Sequence, residues 1–251
     1  MGLPLNTLYK YAVYLIMHEL IKNLQDRQLI WKGLQSTTLG STTSTGYPQL
    51  DKQLDGGFPT HGVIEVESQQ GIGELRLLTP YLAQQNSQKL AIFINPPGKI
   101  GAEFFSSQRI QLENILVIEP QRDLDALWAA EQCLKSGACH SVLLWGTNLE
   151  IHQTKRLQAA SETGKCLQFH FKATSHNQLS LPVSLSMKLS SHAQGLKVEI
   201  TKRKGSWSYG SFILDMTHNW PLLTEQVVYE DNLDRALSGN TVLAFPIAKQ
   251  G

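Results

Sequence analysis

The sequence predicts an α/β protein: a mostly parallel sheet flanked by helices, with an antiparallel C-terminal extension and an N-terminal helical arm. Three observations carry this prediction. Between residues 63 and 171 short apolar runs alternate with segments of helical periodicity, the pattern of successive βα units. From residue 183 onward the runs change to apolar–polar alternation, which suits antiparallel strands with one covered face. The chain has 251 residues, 41% hydrophobic and 17% charged, and is long enough to bury one substantial core.

The elements follow in order. Leu8, Tyr11, Ala12, Leu15, Ile16, Leu20 and Leu24 recur near helical spacing, so residues 6–28 are expected to form an amphipathic helix within an arm of residues 1–34. Residues 35–44 are rich in Ser, Thr and Gly and read as a linker, because they hold too little apolar surface to offset ordering entropy. The core is assigned to residues 45–217. A strand over 63–66 leads into a helix over 74–85 that Pro80 is expected to interrupt, since proline lacks the donor of the i→i−4 bond. Strands over 90–94 and 115–118 follow, then a helix over 124–135 ended by Ser136 and Gly137. A buried strand over 141–145, a helix over 150–163 and a strand over 166–171 complete the βα series. Segments 183–189, 196–201 and 211–216 form the antiparallel extension, with a turn at Lys202, Arg203, Lys204 and Gly205. Residues 218–251 read as a loosely held tail.

Composition excludes several classes. A net charge of +1 gives no bulk attraction to nucleic acid. Cys133, Cys139 and Cys166 form no CxxC pair, which argues against a disulfide framework or a structural zinc site. His140, His152, His170 and His176 are scattered without ligand spacing, so no metal is expected. The apolar stretch over 12–17 is too short to span a bilayer and runs into His18, Glu19 and Lys22, with no cleavage site after it. A cytoplasmic protein without a membrane role is expected.

In an open α/β sheet the first strand-to-helix turn is the place for a phosphate-binding loop. Here that turn is Ser68-Gln69-Gln70-Gly71-Ile72-Gly73-Glu74-Leu75. A phosphate loop reads Gly-x-x-x-x-Gly-Lys-Ser/Thr, because amides wrap the phosphates, the lysine neutralises them and the hydroxyl binds magnesium. Ser68 stands at the first glycine, Gly73 keeps the second, Glu74 replaces the lysine and Leu75 replaces the hydroxyl. A carboxylate would therefore face a polyanion. Gly71 and Gly73 are explained equally by a tight turn.

Thr45-Gly46-Tyr47-Pro48-Gln49-Leu50-Asp51 and Leu54-Asp55-Gly56-Gly57-Phe58 resemble the segment leading into the core of RecA-type recombinases, and the order of elements agrees over residues 45–216. More specifically, Gly71-Ile72-Gly73-Glu74-Leu75-Arg76-Leu77-Leu78, Asp125-Ala126-Leu127-Trp128-Ala129-Ala130-Glu131-Gln132 and Lys135-Ser136-Gly137-Ala138-Cys139 resemble a degenerate RecA-like branch. That branch holds the translesion-synthesis-associated ImuA proteins and the SulA division inhibitors, and the ImuA group is the better match. The likeness begins near Met17, which makes residues 1–16 a candidate start-site extension.

The resemblance implies a RecA-like core without catalytic residues or a cofactor. Trp145 stands where recombinases carry a magnesium-orienting aspartate, and Pro97 where they carry the catalytic glutamate. It further implies an adaptor of the SOS response in error-prone translesion DNA synthesis that docks a Y-family polymerase-like partner. RecA and an error-prone replicative-type polymerase are its further candidate partners. The alternative within the branch is a SulA-type inhibitor that binds the tubulin-like division protein. Candidate contacts are Arg76, after the degenerate loop, and the basic turn of Lys202, Arg203 and Lys204 with Trp207, which has DNA, an acidic partner surface or solvent to face.

Overall fold

The computed structural model describes residues 41–84, 88–174, 180–204 and 210–222. The expected helix over 6–28, Trp207 and all of the expected tail beyond residue 222 lie outside the described residues. In chain order the elements are β1 (Thr42–Thr43), α1 (Pro48–Gln53), β2 (Phe58–Pro59), β3 (Gly62–Glu67), α2 (Glu74–Gln84), β4 (Leu90–Ile94) and α3 (Ala102–Ser107). There follow β5 (Ile115–Ile118), α4 (Asp123–Lys135), β6 (Cys139–Trp145), α5 (Ile151–Gly164), β7 (Leu167–Lys172), β8 (Leu185–His192), β9 (Gly195–Arg203) and β10 (Gly210–Asp215). Eight strands make one sheet in the order β10-β9-β8-β3-β7-β6-β4-β5. The six from β5 to β8 pair in parallel, and β9 and β10 add on antiparallel. This is the expected RecA-like α/β arrangement with its antiparallel extension.

Two apolar cores form because successive strand residues point to opposite faces. Ile64, Val66, Phe93, Leu143, Phe169 and Met187 face one side, where Leu77, Leu78 and Tyr81 of α2 cover them. Val63, Ile92, Ile94, Val142 and Leu144 face the other, beneath Ala126, Ala130 and Leu134 of α4 and Leu157 and Ala160 of α5. The central strands are thus buried on both sides, which accounts for their near-continuous apolar runs.

Pro80 does not interrupt α2, contrary to the expectation; the helix runs through it. The missing proline N–H frees the carbonyl four residues earlier, that of Arg76. Tyr47 Oη donates to that carbonyl at 2.8 Å. Gly46, at φ +85°, packs so tightly on the ring that an added Cβ would lie 2.3 Å from Pro80 Cβ. The segment before α1 therefore satisfies the defect in α2. Trp220 joins the same place: its Nε1 donates to Tyr47 Oη at 3.2 Å and its ring stacks on Phe104 with centroids 6.0 Å apart. Two segments expected to be loose thus begin or end in packed structure. Thr42 and Thr43 pair with β2, and Trp220 is buried. A third difference concerns the basic turn, since Lys202 and Arg203 belong to β9 rather than to the turn.

Candidate functional site

The turn between β3 and α2 lies at the carboxyl end of the parallel strands. Its backbone is set by Gly71 at φ +80° and Gly73 at φ +101°, a region that favours glycine. In a phosphate loop the amides of such a turn converge on an anion. Here they converge on the chain itself. Glu74 Oε1 accepts from the Gly71 amide at 3.4 Å and Oε2 from the Gly73 amide at 3.2 Å. Glu74 is buried, so its carboxylate stands in for the phosphate oxygens that such a cradle would otherwise hold. Leu75 turns into the apolar core beside α2.

Other residues close the turn further. The Arg76 guanidinium folds back, donating to the Ile72 carbonyl at 3.1 Å. It lies over Gly73 so closely that an added Cβ there would meet the Arg76 Nε at 2.3 Å. Ser68 is buried, and its amide donates to the Lys172 carbonyl at 3.0 Å.

At the positions matched to recombinase chemistry the structure holds apolar packing. Trp145 ends β6 between Phe171, at 4.6 Å and 6° between planes, and Phe93, at 6.0 Å and 15°. Phe105 of α3 meets Phe93 edge-on at 5.4 Å. This aromatic stack fills one face of the sheet at the strand ends. Pro97 lies exposed beyond β4. Asn95, at φ +52°, starts that connection with its amide on the Ile118 carbonyl at 3.0 Å.

On the other face the same strand ends carry a polar ladder that the sequence reading overlooked. The register sets Glu65 beside His170 and Ser186, and Glu67 beside Lys172 and Lys188. Lys172 Nζ lies 3.2 Å from Glu65 and 3.8 Å from Glu67, and Lys188 Nζ lies 3.4 Å from Glu67. Ser186 Oγ donates to Glu65 at 2.9 Å and Thr201 Oγ1 bonds Ser186 Oγ at 3.0 Å. His170 is 1% exposed, with Nε2 2.7 Å from the Thr147 carbonyl. Burial is the main influence that holds its pKa below the ordinary value. The cations at this end of the sheet are thus committed to glutamates. A signal existed in the sequence: β3, β7 and β8 each place polar residues at every second position, which aligns them once the strands are adjacent.

The proposed contact residues are distributed differently from the sequence expectation. Arg203 Nη1 pairs with Asp55 at 2.7 Å and its Nη2 donates to the Leu54 carbonyl at 2.7 Å. Lys202 Nζ donates to the Leu181 carbonyl. Two of the three basic residues therefore tie the extension to neighbouring segments, and Lys204 is exposed. Exposed apolar groups gather elsewhere: Leu116 and Val117 on β5, and Leu124 and Trp128 one turn apart on α4. Trp128 is 64% exposed and Leu124 is 71% exposed. Among the described residues no strand pairs with the outer edge of β5, no helix is long and apolar enough to cross a membrane, and no group of three or more His, Cys, Asp or Glu could hold a metal.

No family model matches the chain. Over 134 residues, 53% of its length, the chain is 28% identical to the RecA protein of Prochlorococcus marinus strain NATL1A. It is 26% identical over the same length to the RecA protein of Synechococcus sp. strain CC9902. The matched stretch is 36% of each of those proteins, so the chain spans little more than a third of the curated relatives it matches. Among solved structures, SulA from Pseudomonas aeruginosa aligns with a TM-score of 0.39 at 22% identity, covering 45% of this chain and 98% of that one. The chain is RecA-like in architecture and, over about half its length, in sequence.

Proposed function

We propose that this chain is a non-catalytic RecA-like adaptor in SOS-induced, error-prone translesion DNA synthesis, which docks a Y-family polymerase-like partner at damaged DNA. The observation that carries the reading is the Glu74 carboxylate seated on the Gly71 and Gly73 amides. A loop that supplies its own anion has no free amides for a triphosphate, and the position that would bring a cation brings a second negative charge. Trp145 and Pro97 add no carboxylate for metal or base chemistry. What remains is a rigid scaffold with a surface to present.

That surface is the sheet edge at β5 with the outer side of α4. Clustered exposed apolar groups are a mark of interaction surfaces, and tryptophan is a frequent anchor in them. An unpaired edge strand also offers backbone groups to an incoming segment. Glu113, Glu119 and Asp123 are exposed around it, which favours a partner with basic flanks. This edge takes the place of Arg76, Lys202 and Arg203, whose polar groups are engaged within the chain.

The test is affinity capture of the tagged full chain from DNA-damaged cells of its own host, beside a Leu124→Ser, Trp128→Ser double variant. The expected result is a Y-family polymerase-like protein recovered with the wild-type chain, with RecA as a further candidate, and at least about tenfold less with the variant, the loss of roughly 1.4 kcal/mol of binding. Recovery of the tubulin-like division protein instead would move the chain to the division-inhibitor reading. Recovery of neither would contradict the docking role.

A further inference from the structure

At the opposite end of the sheet from the loop, two of the three cysteines meet. Cys133 sits in the last turn of α4 and Cys139 opens β6. The turn between them is pinned by Ser136, whose Oγ donates to the Cys133 carbonyl at 2.8 Å, accepts from the Ala138 amide at 3.1 Å and lies 3.7 Å from Cys139 Sγ. The Cys133 thiol hydrogen-bonds the Cys139 sulfur. Cys139 is buried, whereas Cys133 is partly open to solvent and packs on the same apolar cluster.

We propose that Cys133 and Cys139 form an oxidant-responsive site that closes to an intramolecular disulfide in the presence of hydrogen peroxide. The two sulfurs are already in contact, in a short connection fixed at both ends, and need only approach to the S–S distance of about 2.05 Å. The contact also divides the labour between them. Hydrogen bonds from Cys133 and Ser136, with the Lys89 charge nearby, bring the Cys139 thiol down to about 7, while the same contact and burial push Cys133 up. The first proton the pair loses therefore leaves the negative charge on Cys139. A thiolate is the reactive species, and peroxide is small enough to reach a buried one beside a partly exposed neighbour.

The chemistry balances in two steps. The Cys139 thiolate attacks one peroxide oxygen, the O–O bond breaks, and the leaving hydroxide takes up a proton as the first water, giving a sulfenic acid on Cys139. The Cys133 sulfur then attacks the Cys139 sulfur, the S–O bond breaks, and the second water departs with the Cys133 proton. Two thiols lose two electrons in total, and one peroxide is reduced to two waters. The bond would staple the end of α4 to the start of β6, independently of whether the chain docks a polymerase.

The test treats the reduced full chain with equimolar hydrogen peroxide, alkylates the remaining thiols, digests with trypsin and reads the peptides by mass spectrometry. Lys135 separates the two cysteines, so Cys133 falls in residues 123–135 and Cys139 in residues 136–155, while Cys166 falls in 166–172. The expected product joins 123–135 to 136–155 within one chain, with Cys166 alkylated. Its rate of formation should fall about tenfold per pH unit below 7, as the thiolate is protonated. In a Cys133→Ser variant, dimedone should trap a sulfenic acid on Cys139. All three thiols alkylated after peroxide, a bond that includes Cys166, or a bond between chains would each overturn the proposal.

Discussion

Lys172 decides the balance of charge at the end of the sheet. Its side chain is largely buried and lies between Glu65 and Glu67, each also mostly withdrawn from water. Removing one partner of such a group leaves uncompensated buried charge, which typically costs about 3–5 kcal/mol. Lys172→Met is expected to destabilise the fold by that order in urea unfolding, far more than an exposed lysine substitution. His140 acts through protons. Burial is the main cause that holds its pKa down to about 4, with Lys89 adding to it. In the unfolded chain the ordinary value is 6.5. As pH falls below 6.5 the unfolded chain binds a proton that the folded chain refuses, so stability declines and the loss is complete below about 4. The full difference is on the order of 3 kcal/mol. His140→Gln should flatten the stability curve between these values relative to the wild type. At this scale the replacements at Ser68, Glu74 and Leu75 were legible in the sequence. The destination of the Glu74 carboxylate was not, because it depends on the positive φ angles of Gly71 and Gly73, which carry no side chain to signal them.

The helices show where element-level reasoning holds and where it stops. The strand and helix series from β3 to β10 was readable, mostly within one or two residues, since each run is bounded by turn residues and keeps one period. α3 was missed because six residues hold too few turns to reveal a helical period. α1 is equally short, although Pro48 at its first turn is a start signal. Pro80 was misjudged for a different reason: the group that rescues α2 is Tyr47, 29 residues from the carbonyl it satisfies. Contacts of that range do not show in a local pattern. The α4–α5 pair rests on a similar close approach. An added Cβ at Gly164 would lie 1.8 Å from the Leu134 carbonyl oxygen, against backbone that cannot yield cheaply. Gly164→Ala is therefore expected to destabilise by about 2–3 kcal/mol, the range for overpacking, even though alanine is the better helix former. Thermal unfolding of the variant measures it.

Across the whole molecule, the fold keeps the geometry of a nucleotide-binding sheet while its crevice is filled from within. The Glu74 carboxylate occupies the loop amides, the Phe93, Trp145 and Phe171 stack fills one face at the strand ends, and the glutamate–lysine ladder fills the other. Loss of the loop lysine was readable from residue identities alone, but the filling was not, because it requires β3, β6 and β7 to lie side by side. The most direct measurement is calorimetric titration of the intact chain with magnesium ATP. A self-occupied loop predicts no saturable heat up to millimolar nucleotide, whereas one-to-one binding in the micromolar range would contradict the account.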